Sequence, residues 1–202
     1  MNVGIAAIVL AGGASSRFGA DKLAADFNGK PVLHHAIEAI SAVAQDIVVV
    51  IPPDAPEPSL PPHLVTRVVF THDNALHQGP LAGLAAGLAA CPPDTEIAIV
   101  VGGDMPTLQP AVLRLLADAL AANPTLSAAT LEADPPSALP MAVRPSVAAP
   151  AVEVLLAENR RAIRGLLAAV PSTTVPSATW RALDPDARTL RDIDTPEDLA
   201  RA

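Results

Sequence analysis

Residues 8–22 read Ile-Val-Leu-Ala-Gly-Gly-Ala-Ser-Ser-Arg-Phe-Gly-Ala-Asp-Lys, an apolar run that stops at paired glycines and continues as a short polar loop. A strand that ends in such a loop exposes backbone N–H groups with no side chain in the way, and those groups can wrap an anionic ligand. Arg17 and Lys22 add positive charge where phosphates would lie. The chain has 13 Lys and Arg in all, and Lys22 and Lys30 are its only lysines, so one of the two stands inside this loop. The plainer alternative is a solvated lysine at a helix edge.

Working outward, apolar runs of strand length alternate with helical patterns. Ile5–Leu10 reads as the first strand and residues 32–44, after Pro31, as a helix. Residues 47–51 are a continuous β-branched run, the mark of a strand buried on both faces. The proline-rich residues 52–58 read as a surface loop. Strands are expected at 65–70 and 97–101, with helices over 80–90 and 110–121. This alternation predicts an α/β fold, a mostly parallel central sheet covered by helices on both faces.

After residue 124 the pattern loosens. Residues 126–131 and 140–144 read as strands, 148–157 and 161–169 as helices, and 180–186 as a turn-rich segment. Thr195 reads as the N-cap of a last helix with early acids. No linker divides the chain, so one domain over 1–202 is expected, with 1–123 as a nucleotide-binding half and 124–202 as the acceptor side.

Composition narrows the function. With 202 residues the chain has ample length for a buried core, and half of its residues are hydrophobic, mostly small, with 2% aromatic. A net charge of −8 argues against non-specific binding to nucleic acid or an anionic membrane. Cys91 is alone, which excludes a disulfide framework and a multi-cysteine metal site and leaves it a packing role. The five histidines show no metal-ligand spacing with a third ligand, and Ser15 and Ser16 have no neighbouring base motif. No stretch reaches the roughly 20 apolar residues of a membrane span and no basic leader precedes the first strand, so a cytoplasmic protein is expected.

The glycine loop has look-alikes. A P-loop needs Gly-x-x-x-x-Gly-Lys-Ser/Thr, and here Lys22 is followed by Leu23, so it fails. The dinucleotide fingerprint Gly-x-Gly-x-x-Gly fails as well, because these glycines are adjacent and then widely spaced. The pattern Leu10-Ala11-Gly12-Gly13-x-Ser15-x-Arg17-x-Gly19-x-Asp21-Lys22 instead resembles the nucleotidyltransferases of the molybdenum cofactor guanylyltransferase, or MobA-like, type. Three further segments agree in order: Asp73 with Gly79-Pro80-Leu81-Ala82-Gly83, then Gly102-Gly103-Asp104-Met105-Pro106, then Asp192-Ile193-Asp194-Thr195-Pro196. The resemblance is dense at residues 4–33, 71–88, 97–110 and 189–199 and thin over 124–180.

That resemblance implies a three-layer Rossmann-like nucleotidyltransferase fold and transfer of GMP from Mg²⁺-bound GTP to the terminal phosphate of molybdopterin. Arg17, Lys22 and Asp104 would be catalytic. Leu10, Ala11, Gly12, Gly13, Ser15, Lys22, Asp73, Gly79, Pro80, Gly83 and Asp104 would bind the nucleotide. Asp104 would hold the metal, joined by Asp194 and Asp192. The implied partners are the two substrates, with transient contacts to other molybdenum cofactor biosynthesis proteins or apo-molybdoenzymes, and a monomer is expected. Two departures stand out: aspartates at 192 and 194 where relatives carry asparagines, and prolines after residue 51 where relatives place an asparagine. A cytidylyltransferase or sugar- or alditol-phosphate nucleotidyltransferase of the same fold is the alternative, followed by a catalytically silent nucleotide-binding regulator.

Overall fold

The apolar runs, with one polar edge strand, assemble into a seven-stranded sheet in which residues 68–72, 46–51, 5–10, 97–102, 141–143, 128–131 and 172–175 lie side by side in that order. A computed structural model describes residues 4–12, 21–73 and 79–200. Four strands, β1 (Ile5–Leu10), β4 (Asp46–Ile51), β5 (Val68–His72) and β6 (Ile97–Gly102), form a parallel block. β8 (Met141–Val143) lies antiparallel between β6 and β7 (Ala128–Leu131), and β9 (Ser172–Val175) extends the edge parallel to β7. The short pairs β2 (Asp26–Phe27) and β3 (Lys30–Pro31) make a small separate ribbon.

Side-chain alternation divides the core into two slabs. Ala7 and Val9 of β1, with Ile47, Val49, Ile97 and Ile99, pack against α1 (Val32–Ser41) and α3 (Pro110–Ala121). Ile8, Val48, Val50 and Val100 face the other way, toward α2 (Pro80–Ala90), α4 (Pro145–Ala157) and α5 (Arg164–Ala169). The result is the expected three-layer α/β/α arrangement. The chain leaves β1 toward β4 and β5, then returns to β6 on the opposite flank of β1. That reversal opens a crevice at the carboxyl ends of β1 and β6, where open α/β sheets bind ligands.

Several boundaries differ from the sequence reading. The strand expected at 65–70 begins at Val68, because Arg67 turns away to donate to the carbonyls of Ser41, Ala44 and Gln45 at the end of α1. α1 ends at Ser41 rather than at 44, and the Val43 and Ala44 N–H groups both close on the Ile40 carbonyl. α4 starts at Pro145, earlier than expected, and runs through Pro150 on its exposed side. α5 starts later, at Arg164. Residues 181–186 turn as expected, and just before them lies a short helix the sequence reading lacks, α6 (Ser177–Trp180), whose Trp180 is fully buried and donates its indole N–H to the Glu132 carbonyl at 3.0 Å. A short 3-10 turn, Arg188–Leu190, precedes α7 (Pro196–Leu199), which Thr195 caps as expected. No helix among the described residues is long and apolar enough to cross a membrane.

Candidate functional site

The end of β1 is fixed from both neighbours: Ala11 donates its N–H to Val50 at 2.8 Å, and Gly103 donates to Leu10 at 2.9 Å. The second contact depends on glycine. A Cβ at Gly103 would stand 3.0 Å from Leu33 Cδ1 and 3.4 Å from the Ala11 Cα and the Leu10 carbonyl oxygen. The loop after β6 can therefore lie directly on the end of β1, carrying Asp104 with it.

Lys22 reaches the same point from the far side of the glycine loop. Asp21 Oδ1 accepts the Leu23 N–H at 3.0 Å, and Leu23 and Ala25 carbonyls accept the first N–H groups of α1. These bonds hold the segment so that the Lys22 ammonium donates to Asp104 Oδ2 at 2.7 Å and to Asp194 Oδ1 at 3.1 Å. The C-terminal segment is brought in by Ile193, which donates to the Asp104 carbonyl at 2.9 Å and buries its side chain against Phe27 and Val32. Burial works against the Lys22 ammonium, but Asp104 first and Asp194 second outweigh it and hold its pKa above the ordinary lysine value. Asp192, beside this trio, has its carboxyl pushed up, by partial withdrawal from water and then by repulsion from Asp194 and Asp104.

The structure thus gathers Lys22, Asp104 and Asp194, and leaves Asp192 beside them. Among the described residues no three His, Cys, Asp or Glu side chains converge as a preformed metal cage; Asp104 and Asp194 meet on Lys22, and Asp192 stands beside them. Asp104 and Asp194 nonetheless already share one cation, the lysine ammonium. Such a donor pair fits magnesium, which takes one or two carboxylates and completes its shell with water and substrate phosphate oxygens.

A second group lies on the α2 side. Asp73 follows β5 and donates its N–H to the Ile51 carbonyl at 2.9 Å. Its carboxylate lies against Gly83, and Gly83 also packs over Leu10 and Val50. Gly79, with φ +79, turns the chain into α2 at Pro80, and Leu81 then donates to the Arg161 carbonyl at 3.2 Å. Leu10 connects the two groups, so Asp73, Gly79, Pro80 and Gly83 sit on one flank of the β1 end and Lys22 with its carboxylates on another. Gly12 is exposed with open space around its Cα. Gly13, Ser15 and Arg17, expected to contact the ligand, lie outside the described residues.

A cavity of about 490 Å³ opens at this point, lined by Leu10, Ala11, Gly12, Lys22 and Asp104 and, opposite them, by residues 51–52 and 55–59. By composition residues 52–58 read as a surface loop, and they begin where relatives place an asparagine; His34 carried no signal in the sequence. His34 Nε2 lies 2.7 Å from the Ser59 carbonyl oxygen, which ties the loop to α1 and makes it a wall. The available signal was position: the prolines directly follow a fully buried parallel strand, at the end of the sheet where ligands bind.

Comparison with known proteins agrees with this geometry. The family model described as the MobA-like NTP transferase domain matches residues 7–174. A probable molybdenum cofactor guanylyltransferase of Chloroflexus aggregans is 31% identical over 200 residues, covering 95% of this chain and 90% of that protein. One from Natronomonas pharaonis is 30% identical, covering 96% and 95%. Among solved structures, molybdopterin-guanine dinucleotide biosynthesis protein A from Archaeoglobus fulgidus superposes with a TM-score of 0.76 at 27% identity, over 97% of this chain and 95% of that one.

Proposed function

The chain belongs to the MobA-like NTP transferase family, and from that membership we propose that it transfers GMP from GTP to the terminal phosphate of molybdopterin and releases pyrophosphate. The observation that carries the reading is the Lys22 ammonium clasped by Asp104 and Asp194 at the end of β1. A positive charge and a pair of carboxylates beside a glycine-rich strand end are the parts that a triphosphate and a divalent cation need.

In the reaction an oxygen of the acceptor phosphate attacks the α-phosphorus of GTP. A new P–O bond forms, the bond from the α-phosphorus to the bridging oxygen breaks, and its electron pair leaves on pyrophosphate. The acceptor oxygen is already ionised, so no side chain has to remove a proton. The chain supplies alignment and counter-charge instead. Lys22, with Arg17, neutralises charge that builds on the leaving pyrophosphate. Amides of the loop at Gly12, Gly13 and Ser15 hold phosphate oxygens, and Leu10 and Ala11 line the nucleotide. Asp73 accepts hydrogen bonds from the ribose or base, and Gly79, Pro80 and Gly83 keep that flank open. Asp104 and Asp194 would hold Mg²⁺, which when bound withdraws charge from the triphosphate oxygens. The nucleotide is taken by residues 1–123 and the acceptor by 124–202, in one domain that acts as a monomer.

Pyrophosphate release measured with each of the four NTPs, with and without molybdopterin, tests the reading. Release is expected with GTP plus molybdopterin and Mg²⁺, and Asp104→Ala is expected to abolish it without loss of secondary structure. Release with CTP and not GTP would replace the donor, and absence of release with any of the four NTPs from folded protein with Mg²⁺ would leave a silent nucleotide binder. A wild-type rate in Asp104→Ala would remove the metal assignment.

A further inference from the structure

Among the described residues four polar side chains are buried, Thr107, Ser127, Asp184 and Thr189, and three of them form one network away from the cavity. Asp184 is 3% exposed, and among the described residues it forms no salt bridge. Its Oδ1 accepts the Arg188 N–H at 3.0 Å and its Oδ2 accepts the Thr189 N–H at 2.7 Å. Its own carbonyl accepts the N–H of Ala187, which stands in the left-handed region at φ +52. One carboxylate therefore shapes the whole turn from 184 to 189.

The turn is fastened in its turn to the loop that carries Asp104. Thr107 Oγ1 donates to the Arg188 carbonyl at 2.7 Å, and Gln109 donates its N–H to Thr189 Oγ1 at 3.1 Å. Four residues further on, Ile193 donates to the Asp104 carbonyl. The strap from 188 to 193 is thus pinned at both ends to residues 104–109, and Asp194 leaves its second pin already facing Lys22. A buried carboxylate satisfied only by backbone N–H groups is a costly device for a surface turn. Its consequence is the position of Asp194.

Resting on the proposed function, we infer that Asp184 is a positioning residue for the catalytic site. It fixes the 188–193 strap on the Asp104 loop and so sets the approach of Asp194 to the cation shared with Asp104. It does not line the cavity and acts through the strap. Outer contacts that orient metal-holding carboxylates are worth about 10–100-fold in affinity.

The test is Mn²⁺ affinity, followed by electron paramagnetic resonance in the presence of a non-hydrolysable GTP analogue. Asp184→Asn keeps one acceptor but sets an amide N–H₂ against the second backbone N–H. It is expected to weaken Mn²⁺ about tenfold while metal-free analogue affinity stays at the wild-type value. In an Asp194→Asn background the same change is expected to have no further effect, because the group it positions is gone. An equal loss in both backgrounds would overturn the inference, as would a lowered unfolding midpoint with unchanged Mn²⁺ affinity. Thr189→Val, which removes only the acceptor for Gln109, serves the same comparison if Asp184→Asn does not fold. Failure of the functional reading is separable: there Asp104→Ala itself would leave Mn²⁺ affinity unchanged.

Discussion

Gly83 and Gly87 stand one turn apart on the buried side of α2, and alanine at the two positions should move stability in opposite directions. Replacing glycine by alanine inside a helix is worth about 0.4–1 kcal/mol wherever the methyl group fits. At Gly83 it fits: a Cβ would lie 3.6 Å from Leu10 Cδ2, 3.7 Å from Val50 Cγ1 and 3.9 Å from Asp73 Oδ2, all ordinary contacts. At Gly87 it does not: the same atom would stand 2.5 Å from Ile8 Cγ2 and 3.1 Å from Val50 Cγ2. Both neighbours are β-branched residues of central strands, buried at 0% and 2% exposure, so neither can swing aside. Overpacking of this kind costs about 1–3 kcal/mol. Gly83→Ala should therefore gain up to about 1 kcal/mol, and Gly87→Ala should lose up to about 2 kcal/mol after its own propensity gain. At about 2–4 °C per kcal/mol for a chain of this size, the two midpoints separate by several degrees. Urea and thermal unfolding of the two variants, followed by circular dichroism, measure the gap. Since the helix is common to both, the difference isolates what the methyl meets, and a Gly87→Ala protein as stable as Gly83→Ala would refute the close packing of α2 on β1. Gly83→Ala carries a functional arm too: the methyl lies beside Asp73, so the KM for GTP should rise although the protein is more stable.

Gly79→Ala combines a left-handed φ with a Cβ 3.1 Å from both the Cβ and the carbonyl oxygen of Arg161, and should cost about 1–3 kcal/mol in urea unfolding; an unchanged midpoint would contradict the geometry. Lys22→Met removes the cation between two carboxylates, and pyrophosphate release should fall about 10²–10³-fold with the circular dichroism spectrum retained; a near-wild-type rate would detach Lys22 from the chemistry. Burial, and then the charge of Asp46, push the Cys91 thiol from 9.0 up to about 11. Its thiolate at pH 8 should be about a hundredfold scarcer than that of a free cysteine, so Ellman's reagent should label the folded protein slowly and faster as pH approaches 11. Because the fold favours the protonated thiol, its stabilising contribution is present below pH 9 and is lost as pH rises through 11. Fast labelling at pH 8 in the folded protein would contradict the burial.

The parallel block was legible because strands covered on both faces must be apolar throughout, and residues 47–51 and 97–101 are. The glycine loop, Asp73, Asp104 and the C-terminal aspartates were legible as motifs, and the fold brings Lys22, Asp104 and Asp194 to one point. β9 was not legible: Ser172–Val175 lies at the sheet edge with three largely accessible polar residues, so no apolar run announces it. Arg67 displaced the start of β5 for a tertiary reason, three carbonyls at the end of a helix far earlier in the chain. The Asp184 turn was equally hidden, since Asp-Pro-Asp-Ala reads as an ordinary polar turn until its burial is seen.

The clasp on Lys22 joins residues 82 and 172 positions away along the chain. During synthesis at about 5–20 residues per second, Asp194 follows Lys22 out of the ribosome by roughly 10–30 s. The strands β5, β4, β1 and β6 are complete by residue 102, so the glycine loop has its sheet long before its second carboxylate exists. The second carboxylate of the clasp is therefore made late, and the clasp can close only after residue 194 has emerged.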